Sequence, residues 1–89
     1  MINDTQKHEA LIRLKKIQGQ VRGLERMVED KRYCIDILDQ IASAKSALDG
    51  LGLLLMRTHI DSCVSSAIKA GKSGKVIDEL MESLDRFVR

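Results

Sequence analysis

The stretch CIDILDQIASAKSALDGLGLLLMRTHIDSCVSSAIK, Cys34 to Lys69, decides the fold. Its apolar residues Ile35, Leu38, Ile41, Ala42, Leu48, Leu51, Leu55, Ile60 and Val64 recur at helical intervals, not at the alternation of a strand. The spacing predicts a single helix of about 50 Å, long for a small domain. From Leu51 to Met56 the apolar side chains wrap nearly the whole circumference. A helix that is apolar all round must be buried all round. One partner helix covers only one side, so this stretch predicts packing against other subunits. Long antiparallel helices in a four-helix bundle built by a dimer are the simplest solution.

Upstream, Leu11, Leu14, Ile17, Val21, Leu24 and Val28 form a second helical stripe, over about Thr5 to Asp30. Asn3, Asp4 or Thr5 can cap its start. Gly19 and Gly23 lie four apart inside it, a pairing that permits close approach of another helix or of DNA, and close helix packing is the reading adopted. Glu29 to Tyr33 (EDKRY) is a polar break. Downstream, Ala70 to Gly74 (AGKSG) reads as a turn, with Gly71 as a helix stop and Ser73 as a cap. A third helix follows from about Lys75 to Phe87, with Val76, Ile77, Leu80, Met81, Leu84, Phe87 and Val88 as its apolar stripe. The fold class is all-α.

The chain of 89 residues makes one domain, 1–89. With no Trp, one Tyr and one Phe, its core is aliphatic. Chains this short gain stability from disulfides, a metal or association, and two cysteines make no disulfide scaffold. Met1 is followed by polar residues rather than a signal-peptide core, and no apolar run approaches a membrane span. The expected compartment is the cytoplasm, where thiols stay reduced. The net charge is only +2, but Lys7 to Arg26 carries six cations against Glu9 and Glu25. A basic helix suits an anionic partner such as nucleic acid, and equally a solvated charged face. No helix-turn-helix is evident, so Arg and Lys would meet phosphates across a groove, with Gln18 and Gln20 among them.

His59 and Cys63, four apart, share one face of the long helix. Cys34 lies at its other end and cannot join them within a continuous helix. In an antiparallel dimer, Cys34 of one protomer meets His59 and Cys63 of the other, giving two identical intersubunit sites. Two thiolates and one imidazole are a soft set that favours Cu(I), whereas a structural zinc site wants four protein ligands. The alternative is structural: free cysteines are commonly buried as small hydrophobes. Neither a phosphate-binding glycine loop, a nucleophile elbow nor an HExxH motif is present, and the chain reads as a non-enzyme.

RLKKIQGQ (Arg13–Gln20), VRGLERM (Val21–Met27), Tyr33-Cys34, QIASA (Gln40–Ala44) and HIDSC (His59–Cys63) together resemble the CsoR/RcnR family of bacterial metal-sensing repressors, over nearly the entire chain. The resemblance implies a three-helix protomer, an antiparallel four-helix-bundle dimer and a dimer-of-dimers homotetramer on operator double-stranded DNA. Cys34, His59 and Cys63 match the Cys-His-Cys pattern of the family's copper sensors, and Tyr33 and Glu79 fall at their outer-shell positions. Nickel and cobalt sensors use a further histidine near the N-terminus, where this chain has only the later His8. Formaldehyde sensors lack the second cysteine, and persulfide sensors usually lack the histidine. Arg13 matches a DNA-binding arginine, with Lys15, Lys16, Gln20 and Arg22 beside it; a second basic position of some copper sensors falls near Gly50. The implied function is a Cu(I)-responsive repressor that holds DNA when metal-free and releases it on Cu(I) binding, derepressing copper-resistance genes. A persulfide or oxidant sensor of the same family is the alternative, followed by a nickel or formaldehyde sensor.

Overall fold

The computed structural model describes residues 2–88, and every regular element among them is helical. α1 spans Asp4–Glu29 and α2 Cys34–His59; a π-helical segment follows at Ile60–Val64, then a short α3 at Ser65–Lys69 and α4 at Ser73–Val88. The expected long helix therefore keeps both its ends, but its ladder changes register inside it. Two compact units result, Asn3–Leu55 and the residues from Met56 onward, and the division falls within α2.

Local chemistry sets each boundary. Asn3 caps α1: its Oδ1 accepts from the Gln6 N–H at 2.8 Å, and Gln6 Oε1 accepts from the Asn3 N–H at 3.0 Å. This reciprocal box satisfies two donors that the first turn leaves orphaned. α1 ends in a Schellman motif, with the Arg32 N–H on the Met27 carbonyl at 3.0 Å and the Lys31 N–H on the Val28 carbonyl at 3.1 Å. Its left-handed residue is Lys31, at φ 52°, where glycine is the usual occupant. The same motif ends α3, and there Gly71 at φ 72° takes the position, as expected. The Tyr33 carbonyl then opens α2 by accepting from the Asp36 and Ile37 N–H groups.

In the first unit, α1 lies on α2 through a thin aliphatic seam. Ala10, Ile17 and Leu51 are buried, with Ala47, Leu54 and Leu55 packed against them. In the second, α4 packs on the π segment and on α3, and Val64 and Thr58 are buried. No described side chain is fully buried, and eighteen large apolar residues stand exposed, among them Leu14, Val21, Val28, Leu38, Ile41 and Leu53. Apolar surface on this scale exceeds the scattered residues normal for a soluble monomer. No helix among the described residues is long and apolar enough to cross a membrane.

Leu51 is the α2 side chain of the buried seam. Leu51→Ala should lower unfolding stability by about 2–5 kcal/mol, read from the urea midpoint at fixed protein concentration. A loss below that of a surface substitution would show the seam to be unimportant.

Candidate metal centre and basic face

Cys34 is the first residue of α2 and His59 the last. Cys34 is exposed, directly after Tyr33, which is 70 % exposed. His59 and Cys63 are half-buried, and both cysteines are free thiols. Glu79 is exposed on α4. Among the described residues no three His, Cys, Asp or Glu side chains converge on a point. The chain thus brings two of its three expected donors onto one helical turn and leaves the third elsewhere.

That turn is not an ordinary one. The Ser65 N–H bonds to the Ile60 carbonyl, five residues back. Four residues overshoot an α-helical turn of about 3.6, and a π turn is wider. Positions 59 and 63 therefore remain on one side of the helix, with their relative angle changed from that of a regular α-turn. Such π-bulges are common at functional sites. The Ser62 hydroxyl donates to the Thr58 carbonyl at 2.7 Å, and its Oγ lies 3.6 Å from Cys63 Sγ. Hydrogen bonding from Ser62 holds the Cys63 thiol below its ordinary value, which favours the thiolate that a metal requires. Sequence reading overlooked Ser62. Its signal was present, since a serine four residues after Thr58 can bond back to that carbonyl.

The donor set fits a soft monovalent metal: two sulfurs and one imidazole, without a fourth protein ligand to close a structural zinc site. The fit requires Cys34 to come from a second chain.

The basic residues of α1 divide between two faces. Arg13, Lys16 and Gln20 line a groove of about 290 Å³ together with Ser46, Ala47 and Gly50 of α2. Lys15 and Arg22, at about 100° per residue, point to the opposite side of the helix from Arg13. Arg13 is paired with Glu9 at 3.5 Å, an exposed contact of small energetic weight. Its Nη1 also lies 3.7 Å from where a Gly50 side chain would begin, so the Arg13 guanidinium rests against Gly50. The Gln20 Oε1 is buried there without a hydrogen-bond partner. The reading of Gly19 and Gly23 as a helix-packing pair needs correction within the chain. Side chains built at either glycine meet nothing within 4 Å, because α2 packs on the other face of α1.

Comparison with known proteins identifies the family and the fold. The family model for the metal-sensitive transcriptional repressor matches residues 6–86. The copper-sensing transcriptional repressor CsoR of Bacillus subtilis (strain 168) is 42% identical over 84 residues, covering 94% of this chain and 83% of that protein. The crystal structure of the copper-sensing repressor CsoR with Cu(I) from Geobacillus thermodenitrificans NG80-2 superposes with a TM-score of 0.94 at 40% identity, covering 100% of this chain and 93% of that one. The nickel-responsive transcriptional regulator InrS gives 0.79 at 35% identity, covering 90% of each chain. A shared fold therefore serves relatives of different metals, and the donor atoms must make the distinction. By its matched length and its close relatives, the chain belongs to the metal-sensitive transcriptional repressor family.

Proposed function

We propose that this protein is a Cu(I)-responsive transcriptional repressor acting in the cytoplasm. The observation that carries the reading is the Cys34, His59 and Cys63 set, soft in its atoms and divided between the two ends of α2. The similarity to copper-sensing relatives supports it. Exposed Leu14, Val21, Val28, Leu38 and Ile41 supply the faces for an antiparallel four-helix-bundle dimer, and two dimers make the tetramer. In that dimer Cys34 of one protomer and His59 and Cys63 of its partner would hold Cu(I). Bound there, the ion supplies a soft bridge between subunits.

Cys34 and Cys63 bind as thiolates and His59 as neutral imidazole. Tyr33, beside Cys34, and Glu79 on α4 are the outer-shell groups that orient these donors. In the metal-free protein Arg13, Lys16 and Gln20 contact operator DNA along the groove face of α1, and Lys15 and Arg22, on the opposite side, form the alternative contact face. Ligation favours a tetramer geometry with lower DNA affinity, a coupling of about 1–3 kcal/mol in typical cases.

An anaerobic Cu(I) titration of reduced protein against a chelator of known affinity should give one ion per protomer, lost in Cys34→Ala and in Cys63→Ala. His59→Ala should retain much of the binding through its thiolates yet release DNA less completely. Affinity should fall in acid as protons compete for the donors. Because its thiol lies below the ordinary value, Cys63 should remain available at a lower pH than an unperturbed cysteine. Cysteine-independent binding, together with a mass gain on treatment with a low-molecular-weight persulfide or polysulfide and loss of DNA affinity, would replace copper by persulfide as the inducer.

DNA affinity should fall with salt, and Arg13→Ala and Lys16→Ala should each reduce the log–log salt slope by about 1. An unchanged slope in both would remove this groove from the DNA contact surface. Lys15→Ala and Arg22→Ala test the opposite face by the same measurement.

A further inference from the structure

We infer that Ser62 is a positioning residue, whose hydroxyl ties the Cys63 sulfur to the Thr58 carbonyl and so fixes where the sulfur stands above the π-helical turn. The inference rests on reading Cys63 as a metal ligand. Three observations meet at this residue. Its Oγ donates to the Thr58 carbonyl at 2.7 Å, a short, strong contact for a hydroxyl. The same Oγ lies 3.6 Å from Cys63 Sγ, where either atom can donate. The backbone of Ile60–Val64 is π-helical in this turn, with the ladder shifted to five-residue spacing.

A serine that bonds back to the carbonyl four residues earlier is a known cause of local bending in helices. Here that bond anchors the hydroxyl on the buried Thr58. The Ser62 proton is single and the Thr58 carbonyl takes it, so an Oγ lone pair faces the sulfur. A thiol completes the chain by donating to Oγ, and a thiolate draws the hydroxyl proton onto itself. The same oxygen contacts the sulfur in both states, but only the thiol leaves the Thr58 bond in place, so the anchored arrangement is that of the metal-free thiol. Without the hydroxyl, a half-buried cysteine on a widened turn keeps its backbone position but loses what selects its rotamer. A soft three-donor site has no spare ligand to compensate for a misdirected one, and partners that orient a ligand commonly govern affinity.

The test compares Ser62→Ala with Ser62→Thr in the full chain. Alanine is the best helix former, and the threonine hydroxyl can make the same back-bond, so both variants should fold with near-parental thermal midpoints. Three-bond couplings of selectively labelled Cys63 in metal-free protein should report one χ1 rotamer in the parent and in Ser62→Thr, and averaging in Ser62→Ala. Cu(I) competition should show about a tenfold loss of affinity in Ser62→Ala and near-parental affinity in Ser62→Thr. Unaveraged couplings or parental affinity in Ser62→Ala, or alanine-like behaviour of Ser62→Thr, would overturn the inference. Should the parent bind no Cu(I) through Cys63, the copper reading fails, and the metal-free couplings still decide whether Ser62 fixes the sulfur.

Discussion

The contact of Ala10 and Ile17 on α1 with Leu51 on α2 holds the first unit together, and its thinness makes the chain depend on association. Two long helices joined by a tight Schellman turn bury one line of small and aliphatic side chains and leave broad apolar faces uncovered. The hydrophobic effect scales with apolar area removed from water, so covering these faces would add to the stabilisation that the single chain supplies. The proposed intersubunit site obeys the same logic. A protein that must associate to be stable can place its sensor where association is made, and ligand binding then acts on the geometry of the assembly.

The turn after His59 shows how a small backbone change carries chemistry. A uniform α-helix from Cys34 to Lys69 would satisfy the hydrophobic pattern equally well. The widened ladder at Ile60–Val64 replaces regular α-helical hydrogen bonding just where positions 59 and 63 lie. Ser62 sits inside this turn with one proton and two acceptors within reach. The contacts of Ser62 are the geometric basis for the proposed orientation of the Cys63 sulfur.

On α1, one helix serves two purposes through its circumference. The side toward α2 carries the seam, and the groove edge beside it carries Arg13, Lys16 and Gln20. Lys15 and Arg22 lie on the far side. A polyanion laid along one face would meet only part of the basic set, so the total charge of α1 overstates what a single contact surface can use. Arg13 also spreads over Gly50, and a residue that looked like a missing cation in sequence becomes the floor under an existing one.

Much of this was legible in the chain itself. Helix periodicity, the Asn3 cap, the Gly71 stop and the absence of aromatic bulk determined the helices and their aliphatic faces, because those signals act over one turn and depend on few neighbours. The donor types and the separation of Cys34 from His59 and Cys63 determined that a shared site needs a second chain. Other features were decided only in three dimensions. Lys31 holds a left-handed position that local preference assigns to glycine, because the turn between α1 and α2 imposes it. The apolar pattern suits α and π spacing alike over five residues, so the register shift at Ile60–Val64 left no trace in periodicity. The union of Arg13, Lys16 and Gln20 with Ser46 and Gly50 depended on where α2 lies against α1. Local rules specify which face of a helix is apolar, whereas the neighbour that covers it, and the groove formed at its edge, arise from packing between residues distant in sequence.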